Sequence, residues 1–279
     1  MRILIAVFAL SSLVLFSCQK EADFANGNNG GGGGGNNTSL LKKIVSKSGS
    51  DSSVVLFGYN SSQKLTSFDA VSAIGGVDIL IQERAERNAQ GIIQKLIIKS
   101  DQYTQFGIDS VVTVMNYSSG RYNSKVTTID LGVFALVDSI ALVYDAAGKV
   151  VTERSYSDFG LGGYEEIGKI DYTYNGNNVA SIKNYSYDSG TSSYDLVETY
   201  TYDQYDNKIS PIYTGIEAFV FDSPLFYSSN NPTKSTITSS GSTETYTTTY
   251  TYNSSNKPLT GSSIIQPGNT TTTATYFYQ

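Results

Sequence analysis

A short, degenerate unit recurs along the chain: a tyrosine, then Asn or Asp, a few small polar residues, often a lysine, and an apolar residue opening the next stretch. It reads Tyr59-Asn60 to Leu65, Tyr144-Asp145 to Val150, Tyr174-Asn175 to Val179, Tyr202-Asp203 to Ile209 and Tyr252-Asn253 to Leu259. Arg87-Asn88 to Ile93 fits without the tyrosine. Asn and Asp form Asx turns and tolerate the left-handed backbone, and a later Gly or Asn accepts positive φ, so each unit predicts a β-hairpin. Further hairpins are predicted around Tyr117 to Tyr122, Tyr187 to Tyr194 and Ser239 to Gly241. A chain punctuated this way folds as a meander of roughly 12 to 16 sequential antiparallel strands without crossover helices.

The stretches between the turns alternate with period two. From Tyr246 to Tyr252 the tyrosines at 246, 250 and 252 fall on even positions and every odd position is threonine, and Tyr172/Tyr174, Tyr185/Tyr187 and Tyr200/Tyr202 repeat the habit. One face is aromatic and the other hydroxylated. The 22 Tyr, the abundant Thr and Ser, and charged residues at only 16% make an all-β class the reading. One segment competes: Ile81, Ala85, Ala89, Ile92 and Leu96 fall at helical spacing. Gly91, the β-branched pairs Ile92-Ile93 and Ile97-Ile98, and the Asn88 turn favour a hairpin there.

Three regions follow. Residues 1–17 carry Arg2, an apolar run from Ile3 to Phe16 and a small-residue box before Cys18, the only cysteine, which is the pattern of an export signal. The run is shorter than the roughly 20 residues of a spanning helix. The segment resembles a bacterial lipoprotein signal, and that resemblance implies that Cys18 is acylated and becomes the mature N-terminus. Residues 18–39 hold six consecutive glycines, Gly30 to Gly35, flanked by Asn, a flexible tether with an end-to-end distance on the order of 25 Å. Gln19 to Asp23 resembles the acidic export signals of Bacteroidota surface lipoproteins, which implies an outer-membrane, outward-facing location. Residues 40–279 form the β-repeat domain.

The Tyr-Asx...Lys-apolar unit resembles the YD repeat of large secreted β-shell proteins. Together with the lipobox and the Gly/Asn tether it is more similar to Bacteroidota lipoproteins with a porin-like domain of unknown function. That resemblance implies an up-and-down meander curled into a barrel or half-barrel, and it carries over no activity and no functional residues. The alternating stretches, mostly five to seven residues long with Thr or Ser opposite Tyr, suit a soluble sheet rather than a membrane-spanning wall. Val111 to Met115 and Phe134 to Val143 are greasier, which a buried core explains.

Chemistry is bounded by what is missing. With no His in the chain and Cys18 taken by lipid, triads, Cys-His pairs, and His or thiolate metal sites drop out, so no catalytic residue, metal or cofactor is assigned. Carboxylate chemistry alone remains, and Glu165-Glu166, Asp203/Asp206 and Asp222 are the candidates for a glycoside-hydrolase acid and base. Ser46-Lys47, Ser62 to Lys64 and Lys234-Ser235 read as strand-edge residues, Asp203 to Asn207 lacks the Gly and distal Glu of a dedicated calcium loop, and Gly160 to Gly163 reads as a loop. A net charge of -6 argues against nucleic acid and anionic lipid as partners. The partners expected are the bilayer through acylated Cys18, and a polysaccharide or surface protein. Three functions stay open: a surface binding or structural lipoprotein, a glycan-binding accessory whose tyrosines stack on sugars, and a carboxylate-only hydrolase.

Overall fold

The alternating stretches become sixteen strands, and the computed structural model describes residues 40–74, 77–130, 132, 135–158, 162–221 and 226–279. The strands are β1 (Leu41–Ser48), β2 (Asp51–Tyr59), β3 (Leu65–Ile74), β4 (Val77–Arg87), β5 (Ile93–Ser100), β6 (Val111–Ser118), β7 (Arg121–Asp130) and β8 (Ala135–Tyr144). They continue with β9 (Val150–Asp158), β10 (Glu165–Asn175), β11 (Asn178–Asp188), β12 (Ser193–Ile209), β13 (Asn230–Ser239), β14 (Ser242–Tyr252), β15 (Pro258–Gln266) and β16 (Thr270–Tyr278). Each pairs antiparallel with its sequence neighbours, and β16 returns to β1 through pairs such as Ile44 with Tyr276, closing a barrel. Closure leaves no unpaired sheet edge. Among the described residues a short α-helix, α1 (Asp101–Thr104), is capped by the Ser100 side chain. The contested segment is the β4–β5 hairpin, turned by Asn88, whose Oδ1 accepts from the Gln90 and Ile92 amides at 3.0 Å each.

Two expectations need correction. Strands run 8 to 17 residues, longer than the alternation suggested, because tight turns leave nearly every residue to the sheet. Strand length therefore says nothing against a membrane wall, but side-chain polarity does: Arg84, Lys169 and Lys183 sit mid-strand on the outer surface, where a lipid-facing wall carries an apolar band. The greasy stretches also split between faces. Val111, Met115 and Ile140 point inward, whereas Val114 and Val143 are exposed.

The Tyr202-Asp203 unit departs from the rest. It makes no hairpin; β12 continues through it with irregular register, since Asp206 Oδ1 accepts from the amides of Lys208 (3.0 Å) and Asn231 (3.1 Å) and so tucks a bulge against β13. The chain then makes a long excursion, Ser210 to Ser229, which includes a 3₁₀ turn at Gly215–Phe219. Ala218, Phe219, Val220, Phe221, Phe226 and Tyr227 are all buried and join the barrel's main apolar cluster, so these residues of the excursion form a plug inside the lumen. Its apolar run does not alternate because it is surrounded on all sides rather than half-buried like a strand. Arg87 clamps it, donating to Glu217 at 2.6 and 2.8 Å while also bonding the carbonyls of Leu65 (2.7 Å) and Gly91 (2.8 Å).

The plug enters at the barrel end where the even-numbered strands finish and the Tyr-Asx turns gather. There the lumen is apolar and aromatic; toward the opposite end its lining turns polar, with Asp51, Ser53, Ser72, Ser100, Ser155 and Ser157 buried.

The repeat has a mechanical explanation. The tyrosine closing one hairpin donates its hydroxyl back to a carbonyl near the start of the preceding strand: Tyr144 to Tyr122 (2.6 Å), Tyr174 to Val150 (2.6 Å), Tyr205 to Val179 (2.7 Å) and Tyr278 to Pro258 (2.8 Å). The lysine of a unit reaches forward. Lys64 donates to the Gly91 carbonyl (3.1 Å), Lys149 to that of Gly176, and Lys149 and Lys257 also lie over the rings of Tyr174 (5.1 Å) and Tyr278 (5.7 Å). The Tyr144/Lys149 unit thus latches its hairpin to both neighbours, and the Tyr174 and Lys64 bonds each latch one side. Tyr174→Phe, which keeps the ring and removes only the latch, is expected to cost about 1–3 kcal/mol by leaving the Val150 carbonyl unpaired. Thermal unfolding of the variant checks this, and an unchanged midpoint would refute the latch.

Candidate functional site

Two polar constellations stand out, one inside the wall and one on it. Inside, Lys125 on β7 lies 3.3 Å from Glu153 on β9, and their side chains are 3% and 1% exposed. Lys125 also donates to the Phe219 carbonyl of the plug (3.1 Å), and the Tyr172 hydroxyl donates to Glu153 (2.8 Å). Tyr172 in turn meets Phe219 and Tyr227 edge-on, with ring centroids 5.2 and 5.6 Å away, and those two rings stack at 4.6 Å. Both charged side chains are buried. The pair ties wall to plug and offers no approach to a substrate.

On the outside, β9 to β12 present tyrosines among charges. A bulge in β10 between Glu166 and Gly168 sets the register; a Cβ at Gly168 would lie 2.4 Å from the Tyr185 carbonyl oxygen, so only glycine allows this approach of β10 to β11. Cross-strand pairing then places Arg154 beside Lys169, Lys169 beside Tyr185, Tyr185 beside Leu196 and Tyr187 beside Tyr194. The Lys169 ammonium sits 4.7 Å from the Tyr185 ring centre and 4.9 Å from that of Tyr194. The rings of Tyr187 and Tyr194 lie 5.1 Å apart. Arg154 donates to the Tyr194 hydroxyl (3.0 Å) and to Glu166 (3.2 Å), and that hydroxyl donates to Glu166. Loss of hydration and this bond to a carboxylate push the Tyr194 phenol up to about 12. Leu196 and Val197 are 55% and 48% exposed at its edge. Half-open rings bordered by fixed donors and acceptors suit a partner with both apolar faces and hydroxyls.

The sequence-nominated carboxylates do not converge. Glu166 belongs to the outer patch, with exposed Glu165 beside it at the start of β10. Asp203 and Asp206 sit toward the finish of β12, at the opposite barrel end, where Asp203 accepts from Thr236 and Asp206 from Asn231 (3.0 Å) and Tyr252. Asp222, the first two residues of Gly160 to Gly163, and Cys18 lie outside the described residues. Among the described residues no three His, Cys, Asp or Glu side chains group as metal ligands. The lumen pair escaped sequence reading because Lys125 and Glu153 meet only through the register of β7, β8 and β9. The outer tyrosines were visible as Tyr185/Tyr187, but nothing local says which face they take.

Most other tyrosines line the lumen, and burial pushes the phenols of Tyr59, Tyr122, Tyr144, Tyr205 and Tyr276 up to about 12, and those of Tyr172 and Tyr250 well above their ordinary value. An unfolded tyrosine ionises near 10. Because the folded values are raised, their stabilising contribution is complete below pH ~10 and is lost as pH climbs from there through about 12. Alkaline titration is expected to show tyrosinate absorbance rising late, together with loss of the barrel's circular dichroism; smooth, reversible ionisation of all tyrosines near pH ~10 would contradict this.

No family model matches the chain, and no curated protein matches it in sequence. Solved structures of similar fold include two porin-like proteins. A porin-like protein from Bacteroides uniformis shares 15% identity with a TM-score of 0.52, over 86% of this chain and 98% of the other. A porin-like protein from Bacteroides vulgatus shares 11% at the same TM-score, over 86% and 99%. At these identities the likeness is one of fold alone.

Proposed function

We propose that the protein is a non-enzymatic, lipid-tethered barrel on the outer face of the outer membrane, and that it binds its partner through its wall. The plug carries this reading: Phe219, Phe221 and Phe226 fill the apolar end of the lumen, which favours recognition on the outer surface over passage through the barrel. The lipobox at Cys18 and the Gly30 to Gly35 tether support the anchoring. Separation of Glu166 from Asp206 counts against the hydrolase, which needs two carboxyls about 5–9.5 Å apart.

The outer tyrosine patch favours a glycan as the partner, since a sugar's C–H face stacks on an aromatic ring while its hydroxyls pair with Arg, Glu and Lys groups. Screening the protein against polysaccharides by gel retardation is expected to give a ligand whose affinity falls at least about tenfold in Tyr187→Ala/Tyr194→Ala. Retardation unaffected by that substitution, or absent across the panel, removes the glycan reading. Protease shaving of intact cells tests the location, because a periplasm-facing chain would be protected.

A further inference from the structure

The whole-chain charge of -6 conceals a segregation that only the barrel creates. On the outer wall of β1 to β5 stand Lys42, Lys43, Lys47, Arg84, Lys95 and Lys99, and all but Lys43 are exposed. Against them the described outer wall of these strands sets two carboxylates: Asp69, engaged by Arg84 at 2.9 Å, and Glu86, which pairs across the sheet with Lys95. Lys43 and Lys99 share one row across five strands, running Lys43, Leu56, Asp69, Gln82, Lys99, a span of about 19 Å at the usual strand spacing. Between the cations lie outward apolar side chains: Val45, Val54, Val71 and Ile97 are half-buried and Leu56 is 42% exposed. Cations interleaved with aliphatic groups are what an interfacial surface presents to anionic headgroups.

The position of this wall matters as much as its charge. The tether leads into β1, the strand that carries Lys42 and Lys43, so any membrane holding the chain by residue 18 lies within the tether's reach of these lysines. The tyrosine patch is on the far side: in a closed ring of sixteen strands, β11 is eight strands from β3, diametrically across. There the cations are matched by carboxylates, Arg154 by Glu166 and Lys169 by Asp171, so that side has no comparable excess of positive charge to hold it to an anionic surface.

We infer that the β1–β5 wall docks on anionic lipid headgroups of the membrane that carries the tether, and so turns the β9–β12 tyrosine patch outward. The inference rests on the tethering reading and adds an orientation to it. Opposite charges of this kind give about fivefold in binding per lysine near the surface, weakened by salt.

Lysine footprinting of the acylated full chain tests it, in vesicles of phosphatidylcholine with and without phosphatidylglycerol. Amine acetylation read by mass spectrometry is expected to show Lys42, Lys47, Lys95 and Lys99 labelled at least about fivefold more slowly in the phosphatidylglycerol vesicles at low salt. High salt restores their labelling, and exposed Lys183 on β11 labels equally in both vesicles. Equal labelling of the two lysine sets overturns the docking while leaving the anchor intact. A chain whose mass shows no acyl group overturns the anchor instead; the unacylated chain added to the same vesicles then reads the docking alone, with the same protection expected and its absence refuting it.

Discussion

Replacing Lys125 by alanine is expected to lower the unfolding free energy by about 3–5 kcal/mol, because Glu153 is left as an uncompensated buried carboxylate. The pair spans three strands and the plug: the ammonium lies 3.3 Å from Glu153 and 3.1 Å from the Phe219 carbonyl, and Tyr172 holds the other carboxylate oxygen at 2.8 Å. Removing one partner therefore loosens the wall and its filling together. Lys125→Met with Glu153→Gln removes both charges while the amide oxygen still accepts from Tyr172, and most of the loss should return, since a buried pair is often no more stable than its neutral replacement. Urea unfolding followed by tyrosine fluorescence measures both variants. A Lys125→Ala loss under about 1 kcal/mol, or a double variant as weak as the single one, would show that the pair is not a keystone.

Phe226→Ala is expected to cost a similar amount, about 3–5 kcal/mol, by opening a cavity where the plug meets the wall. The ring is 1% exposed and sits 5.9 Å, centre to centre, from Phe68 on β3 and 5.6 Å from Phe221 within the plug. Val114→Ala on the outer wall removes aliphatic bulk from a side chain 42% exposed and should stay within about 0.5 kcal/mol. Limited proteolysis adds a local readout, because a plug that has lost its anchor should be cut between Ser210 and Ser229 faster than any hairpin turn. A variant that unfolds like the parent would mean the barrel stands without its filling.

Much of this architecture is legible in the chain because its signals are local. An Asx turn such as Asn253, whose Oδ1 accepts from the Ser255 and Lys257 amides at 2.9 and 3.0 Å, is specified within five residues, and so is its hairpin. Which face a tyrosine takes is not local. Period-two alternation fixes the spacing of Tyr185 and Tyr187 as firmly as that of Tyr250 and Tyr252, yet the first pair points out and the second in. Parity is set strand by strand through register and bulges such as those at Thr173/Tyr174 and Asn184/Tyr185. The plug was hidden for the opposite reason. Ala218 to Phe221 is a short continuous apolar run that a core strand would also show, and the Tyr202-Asp203 unit before it promised a turn that the Asp206 bulge absorbs. Net charge likewise averages over walls that only closure separates.

The reciprocal latches also make the barrel countable. Where they occur, backward tyrosines and forward lysines run in the same sense along the sheet, so nothing in such a latch depends on how many hairpins complete the circle. Circumference is then set by the number of units rather than by any single residue. A chain that gained or lost one whole hairpin would still find matching neighbours on either side, whereas loss of half a unit would leave a tyrosine with no carbonyl to meet and reverse the strand direction at the seam. Growth and shrinkage of such a wall come in steps of two strands, and the plug, whose size is fixed by its own twenty or so residues, is what ties this chain to eight hairpins.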